Sequence, residues 1–162
     1  MRTSIVFVTG LLLGSFLAPG FAQDTRLAGM NNINHIGLSV KNIDAARAFY
    51  TQKMGFREAF VYRGANGDPQ LAYMQVSRNS FVELQPASAT RPPGLTHYGL
   101  VVDDLKATVA TLKQRGVTVE DPRPGRRDSF VANAKDPDGV EIEFFQLGPD
   151  SPQEQASASW PR

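Results

Sequence analysis

The sequence predicts an α+β fold made of two consecutive β-α-β-β-β units. The chain contains two histidines, and each opens a similar stretch, residues 35–38 (HIGL) and residues 97–100 (HYGL). Each histidine is followed, at nearly the same distance, by an extended run that carries a glutamate, Glu83 in the first half and Glu143 in the second. Both halves also show one segment of helical spacing followed by short extended runs between turn residues. A repeat of this kind indicates two related halves.

The first unit is predicted to span residues 31–86. Its opening strand carries His35, and apolar residues at helical spacing then predict a helix over residues 43–53 that Gly55 ends. Three extended runs follow, at residues 56–63, 70–77 and 81–85, with turns at 64–69 and 78–80.

The second unit is predicted to span residues 94–147. Its opening strand carries His97, and the helix that follows begins at Asp103 or Asp104 and stops at Gly116. Its extended runs lie at residues 117–120, 129–134 and 140–146, with turns at 121–125 and 136–139. Together the two units form one predicted domain over residues 29–147, which is close to the usual size of a single domain.

Strand alternation places each histidine and glutamate on a polar strand face whose opposite face is apolar. In the first strand, for example, His35 and Gly37 share one face, while Ile36 and Leu38 share the other. The sheet is therefore expected to have one face covered by helices and one face that carries the chemistry. Gly37 and Gly99 fall on the chemical face, where they leave space for a substrate or allow a bulge or a close contact.

The duplicated His/Glu pair supplies the four nitrogen and oxygen ligands that a metal site requires. The chain contains no cysteine. Imidazole and carboxylate ligands without thiolate suit zinc, nickel, cobalt, manganese or iron(II). The sequence therefore predicts a divalent metal cofactor. Glu141 faces the same way as Glu143 and is the alternative ligand in the second unit.

The two ends of the chain have other compositions. Residues 1–22 combine Arg2, an apolar run over residues 5–17 and small residues up to Ala22, which predicts a secretory signal cut after Ala22 and a periplasmic or secreted protein. A membrane anchor is the alternative, although the run is shorter than the ~20 residues of a span. Without this segment the chain is about neutral, so no attraction to nucleic acid or membrane is expected. Residues 148–162, rich in Pro, Ser and Gln, are predicted to be a disordered tail.

With these motifs the sequence resembles the vicinal oxygen chelate superfamily, which includes glyoxalase I, methylmalonyl-CoA epimerase, extradiol dioxygenases, and the fosfomycin and bleomycin resistance proteins. The resemblance covers nearly all of residues 31–147 and is carried by residues 35–40 (HIGLSV), 49–56 (FYTQKMGF) and 136–144 (DPDGVEIEF). It implies that the two units curl into a half-open barrel around a divalent metal. In that family the metal binds two adjacent oxygens of a small-molecule substrate.

Carried over residue by residue, the resemblance implies metal ligands at His35, Glu83, His97 and Glu143, and it favours Glu143 over Glu141. Glyoxalase I and the epimerases place Glu or Gln at the position of Glu83, where single-metal dioxygenases and fosfomycin enzymes use no carboxylate. The resemblance to glyoxalase I assigns proton transfer to Glu143, with Glu83 as the second candidate. It therefore implies an isomerase or lyase that stabilises an enediolate.

Two departures from glyoxalase I concern the residues that hold glutathione. Ser39 stands where bacterial members usually have Arg, and residues 85–88 (QPAS) stand where they have an Asn-containing turn. An exported protein would also meet little glutathione or coenzyme A, so export and these departures disfavour thioesters of both as substrates.

Two other functions stay open. One is an iron(II) ring-cleaving dioxygenase with His35, His97 and Glu143 as its triad. The other is a protein that binds a drug or metabolite without turnover, which the four intact ligand positions disfavour. The cluster at residues 123–127 (RPGRR) is interpreted as a solvated loop in preference to a site for an anionic substrate.

The segment that joins the two units predicts how the chain assembles. It contains Pro86, Pro92 and Pro93, which are expected to hinder the second unit from folding back on the first. Exposed sheet edges would favour pairing with another chain. We therefore expect a twofold homodimer with metal sites near its interface. Two arrangements stay open: one chain builds the metal site alone, or two chains exchange units and share each site.

Overall fold

The structure, a computed structural model, describes residues 27–161, so the signal segment predicted at residues 1–22 lies outside the described part. The elements, in chain order, are β1 (Met30–Val40), α1 (Ile43–Ala48) with a π-helical continuation (Phe49–Lys53), β2 (Arg57–Arg63), β3 (Pro69–Ser77), β4 (Ser80–Pro86), β5 (Gly94–Val102), α2 (Leu105–Gln114), β6 (Arg123–Pro124), β7 (Ser129–Lys135), β8 (Glu141–Leu147) and α3 (Pro152–Ala158). This order confirms the predicted pair of β-α-β-β-β units. None of the helices in the described residues is long and apolar enough to cross a membrane.

One strand of the second unit differs from the prediction. Residues 117–120 form no strand, and Val119 makes an isolated bridge to Ala134 instead. Pairing with β7 resumes over Arg123 and Pro124 alone. Proline has no N–H to donate to a neighbouring strand, so the prolines at positions 122 and 124 limit the ladder to this short segment.

The strands of the described residues form one eight-stranded sheet in the order β2-β3-β4-β1-β5-β8-β7-β6. Within each unit the first strand lies parallel to the last, as β1 does to β4 and β5 to β8. The two units join where β1 and β5 pair antiparallel. The sheet is not closed, and β2 and β6 are its edges. The guanidinium of Arg126, just after β6, lies 5.2 Å from the ring of Tyr62 on β2, so the two edges approach each other.

The pairing of β1 with β5 corrects the expectation that the proline-containing segment hinders fold-back. The Ala87 N–H donates to the Val40 carbonyl at 2.8 Å, and Ser88 bridges to Arg91 in a compact turn. This turn returns the chain so that β5 lies beside β1. The prolines at positions 86, 92 and 93 flank this turn without preventing the fold-back, so the premise that they hinder it is wrong. A homodimer built from complete chains stays a prediction.

Helices α1 and α2 cover one face of the sheet. Helix α2 begins at Leu105, and the carboxylate of its N-cap residue Asp104 accepts from the Ala107 N–H at 2.9 Å. The helix buries Leu105, Val109 and Leu112 in a cluster of apolar side chains. Helix α1 packs in the same way over the strands of the first unit through Ile43. Because strand residues alternate, this packing leaves the other face for the polar side chains.

The C-terminal segment contradicts the predicted disordered tail. Ser151 caps α3 and is fully buried, and Ala156 packs against Leu71, Tyr73 and Phe81 on the face opposite α1 and α2. The Arg57 guanidinium donates to the Ala156 carbonyl at 2.8 Å. This short polar helix is held by its N-cap and by hydrogen bonds to its backbone carbonyls and not by an apolar stripe. Its sequence therefore shows little of the apolar periodicity from which a helix is predicted.

Placing a charge on the buried face of α3 should destabilise the fold. Ala156→Asp would bury an unpaired carboxylate against Tyr73, which costs on the order of 2 kcal/mol and lowers the melting temperature by roughly 5 °C. Ala158→Asp, on the exposed side of the same helix, is the matched control and should melt close to the unmodified protein. Equal melting temperatures of the two variants would contradict the packing of α3 on the sheet.

Candidate metal centre

The four predicted ligands meet on the sheet face opposite α1 and α2. His35 lies on β1, Glu83 on β4, His97 on β5 and Glu143 on β8, which are the four central strands. One nitrogen or oxygen atom from each side chain lies within 4.8 Å of the corresponding atoms of the other three. One chain therefore brings together a group that could hold a metal ion.

The distances within this His/Glu group suit a metal ion. The Nε2 atoms of His35 and His97 are 3.0 Å apart. Glu143 Oε2 lies 3.5 and 3.4 Å from them, and the oxygens of Glu83 lie 3.8 Å from each. Two ligands at right angles, each about 2.1 Å from a metal, are themselves about 3.0 Å apart. The nitrogen pair therefore has the spacing of adjacent ligands on an octahedral ion.

Neighbouring side chains orient both imidazoles. The Asn34 amide oxygen lies 3.1 Å from His35 Nδ1, and as an acceptor it favours a proton on that nitrogen. The Thr96 hydroxyl donates to the Gly37 carbonyl, so its oxygen can accept from His97 Nδ1 at 2.9 Å. Both Nε2 atoms then present lone pairs to the same point. Two facing lone pairs repel each other unless a cation lies between them. A proton on Nδ1, held by an acceptor, and a free lone pair on Nε2 are the pattern of histidines that bind a metal.

Gly37 and Gly99 make room for these rings. In the β1–β5 register Gly37 lies opposite His97, and Gly99 lies opposite His35. A Cβ atom built on either glycine would overlap the imidazole of the histidine opposite. The space predicted beside each glycine, for a substrate or for a close contact, is thus filled by an imidazole from the other unit.

The two carboxylates differ in how firmly they are held. Glu83 accepts hydrogen bonds from the Tyr73 hydroxyl and from the Gln85 amide, and its side chain is 5% exposed. Burial and the neighbouring Glu83 charge raise the pKa of Tyr73 well above its usual value, so it stays a donor. The Glu143 side chain is 17% exposed and, among the described residues, receives no hydrogen bond from a neutral side chain. Glu143 is therefore the less constrained of the two carboxylates.

The charges of the group are strongly coupled. Burial alone would lower the pKa of His97, but its hydrogen bond to Glu143 and the charges of Glu83, Glu143 and Glu141 raise the pKa above its usual 6.5. Burial would likewise raise the pKa of Glu143, but hydrogen bonds and charge from His35 and His97 in their protonated forms, in which Nε2 carries a proton and not a lone pair, lower it to about 2. The carboxylates therefore stabilise positive charge at the point where the imidazoles meet, as a cation-binding site requires.

Glu141, the alternative ligand, does not belong to the group. Its carboxylate accepts a hydrogen bond of 2.6 Å from the Asn133 amide, and it lies opposite His97 in the strand register, while Glu143 lies opposite Gly99. Glu143 is thus the glutamate of the second unit that joins the group.

A cavity of about 650 Å³ opens over the His/Glu group. Its walls include Arg123 and Arg126, which belong to the cluster interpreted from the sequence as a solvated loop, but they do not include Arg127. Arg91, from the segment between the units, also lines it, and sequence reasoning missed this residue because no local pattern marks it. Tyr73 was missed as well, although its alternation with Leu71 on β3 was a usable signal.

Known proteins resemble this chain in sequence and in fold. The sequence model of the Glyoxalase/Bleomycin resistance protein/Dioxygenase superfamily matches residues 32–144. A probable lactoylglutathione lyase of Vibrio cholerae is 29% identical over 129 residues, which cover 72% of this chain and 91% of the relative. The Bacillus subtilis protein YwkD is also 29% identical over 129 residues, with 72% of this chain and 98% of that protein covered. The crystal structure of methylmalonyl-CoA epimerase from Mycobacterium tuberculosis superposes with a TM-score of 0.65 at 24% identity, covering 77% of this chain and 95% of that one.

Proposed function

The chain belongs to the glyoxalase/bleomycin resistance protein/dioxygenase superfamily, and we propose that it is a metal-dependent isomerase or lyase acting on a small substrate with two adjacent oxygens. The observation that carries the proposal is the unequal pair of carboxylates around two facing imidazole nitrogens. The names of the relatives, a probable lactoylglutathione lyase and an epimerase, fall within the same reaction classes.

We assign the metal to His35, Glu83, His97 and Glu143. A divalent ion bound there would polarise a substrate carbonyl or hydroxyl oxygen and acidify the neighbouring C–H bond. Zinc, nickel, cobalt, manganese and iron(II) all suit this set of ligands.

The two carboxylates of the His/Glu group have different proposed roles in the reaction. Glu143 accepts the proton from the substrate carbon and returns it to the product. The weaker constraint on its side chain supports this role. Glu83 is fixed by Tyr73 and Gln85 and serves as a static ligand, so it is the second candidate for the base.

Exchange of carbon-bound hydrogen with solvent tests the proposal. The metal content of the purified protein is measured first, and metal-loaded protein is then incubated in D₂O with small α-hydroxy ketones and with hemithioacetals of methylglyoxal. Proton NMR should show metal-dependent exchange at the carbon beside the carbonyl. Glu143→Gln should slow the exchange by roughly 100-fold or more. Glu141→Gln, two positions away and outside the group, is the matched control and should retain most of it.

Other outcomes would replace the proposal. Oxygen uptake with catechols by anaerobically iron-loaded protein would indicate a dioxygenase. Stoichiometric binding of such compounds without exchange or turnover would indicate a binding protein.

We also propose that the protein acts outside the cytoplasm, on the basis of the signal pattern at residues 1–22. Cell fractionation with N-terminal sequencing should find a mature chain that begins near Gln23. A cytoplasmic product that retains Met1 would refute export and would bring glutathione and coenzyme A thioesters back as substrates.

A further inference from the structure

Arginine side chains line the same cavity as the His/Glu group. They come from different parts of the chain: Arg91 from the segment between the units, Arg123 from β6, and Arg126 from the loop after β6. The fold therefore places several guanidinium groups at the wall and mouth of the cavity.

Two of these arginines have donors to spare. Arg91 gives one Nη2 hydrogen bond of 2.9 Å to the Pro86 carbonyl, but its Nε is buried without any hydrogen-bond partner. Arg126 stacks over the Tyr62 ring, and among the described residues neither arginine has a carboxylate within 4.0 Å. The Nη1 of Arg91 and the guanidinium of Arg126 make no hydrogen bond among the described residues, so an anionic ligand in the cavity would meet open charged donors there.

The guanidinium of Arg123 already has polar partners within the protein. It donates to the Asn133 amide oxygen at 3.0 Å and lies 3.7 Å from Glu120. It contributes positive charge to the cavity, whereas Arg91 and Arg126 offer open hydrogen-bond donors.

The charge balance of the cavity favours an anion once a divalent ion is bound. Glu83 and Glu143 would then offset the charge of the metal. The carboxylate of Glu141 would be the remaining acidic group on the cavity wall, opposed by the three arginines. A concave site with an excess of one charge concentrates ligands of the opposite charge.

We propose that Arg91 and Arg126 bind an oxyanion at the end of the substrate remote from its metal-binding oxygens. The substrate is then a small acid that carries adjacent oxygens at one end and a carboxylate or phosphate-like group at the other. The planar guanidinium fork matches both anions. A cavity of about 650 Å³ has the size of a small-molecule site. This inference rests on the proposed function, because it requires the first end of the substrate to reach the metal.

Paired chelators separate the two ends of such a substrate. Isothermal titration calorimetry of the cobalt-loaded protein compares propionohydroxamic acid, which is neutral, with N-hydroxysuccinamic acid, which adds a carboxylate to the same chain. A third hydroxamate, with a phosphonate at that position, shows which oxyanion is preferred. The protein should bind the better anionic probe roughly tenfold to 100-fold more tightly than the neutral one. The preference should shrink at 0.5 M salt, because exposed guanidiniums are screened.

Variants connect this preference to the arginines. Arg91→Gln and Arg126→Gln should each reduce it, and together they should abolish it, measured within each variant as the ratio of the anionic-probe to the neutral-probe affinity. Arg127→Gln is the matched control, since this neighbouring arginine does not line the cavity, and it should retain most of the preference. Equal affinities of all probes for the unmodified protein, or a preference that survives in the double variant, would overturn the inference. Failure of the neutral hydroxamate to bind the cobalt-loaded protein would instead count against the proposed function.

Discussion

Replacing His97 by alanine is expected to abolish tight binding of a divalent metal. The side chain supplies one of two imidazole nitrogens that meet at 3.0 Å, and no other histidine is present in the chain to replace it. Loss of a group that only orients a ligand typically costs 10- to 100-fold in affinity, so loss of a ligand should cost more than about 100-fold. Competition with a metal-sensitive chelator measures the effect, and His35→Ala should behave in the same way.

Thr96→Ala provides a graded control for this experiment. It removes the acceptor that orients His97 but leaves the ligand in place, so its loss should fall in the range of about 10- to 100-fold. Metal stoichiometry that stays the same in both histidine variants would refute the assigned site.

Mixing the two histidine variants tests whether each chain holds a complete site. All four ligands meet within one chain, so a His35→Ala chain and a His97→Ala chain should not restore metal binding to each other. Recovery of sites in the mixture would show that chains exchange units, which is the alternative that the sequence left open.

Most of the His/Glu group could be predicted from the sequence because it depends on local alternation, whereas the choice of Glu143 over Glu141 came from the family resemblance. The period of two along a strand decides which side chains share a face, and the repeat marks which polar positions correspond in the two halves. Placing His35 and Glu83 on the same face therefore required no knowledge of the other unit.

The remaining features depend on contacts between distant segments. The pairing of β1 with β5 places Gly37 opposite His97 and Gly99 opposite His35. The turn at Ser88–Arg91 allows this pairing, but its flanking prolines predicted a stiff spacer. Helix α3 is held by Arg57 and Gln75, which donate to its backbone carbonyls, so its own composition carried little signal. Arg91 reaches the cavity through the same turn, and for the same reason the sequence did not mark it.

Adding one methyl group at Gly37 or Gly99 should disrupt the candidate metal centre without removing a ligand. The Cβ of Gly37→Ala would occupy the position of the His97 ring, and that of Gly99→Ala the position of the His35 ring. Both rings are buried, at 7% and 1% exposure, so neither can turn aside without moving the sheet. We expect metal affinity to fall by roughly 100-fold, together with about 1 to 3 kcal/mol of lost stability from overpacking.

Gly64→Ala is the matched control for these substitutions. Its added Cβ meets the flexible side chains of Asn66 and Gln70 in a turn away from the metal ligands, so affinity and melting temperature should change little. Calorimetric titration with metal and thermal melts of the three variants measure both quantities. Because the glycine of each unit lies under the histidine of the other, Gly37→Ala and Gly99→Ala should weaken metal binding to a similar extent. Normal affinity in either variant would show that the opposing imidazole lies elsewhere, and it would contradict the β1–β5 register on which the site depends.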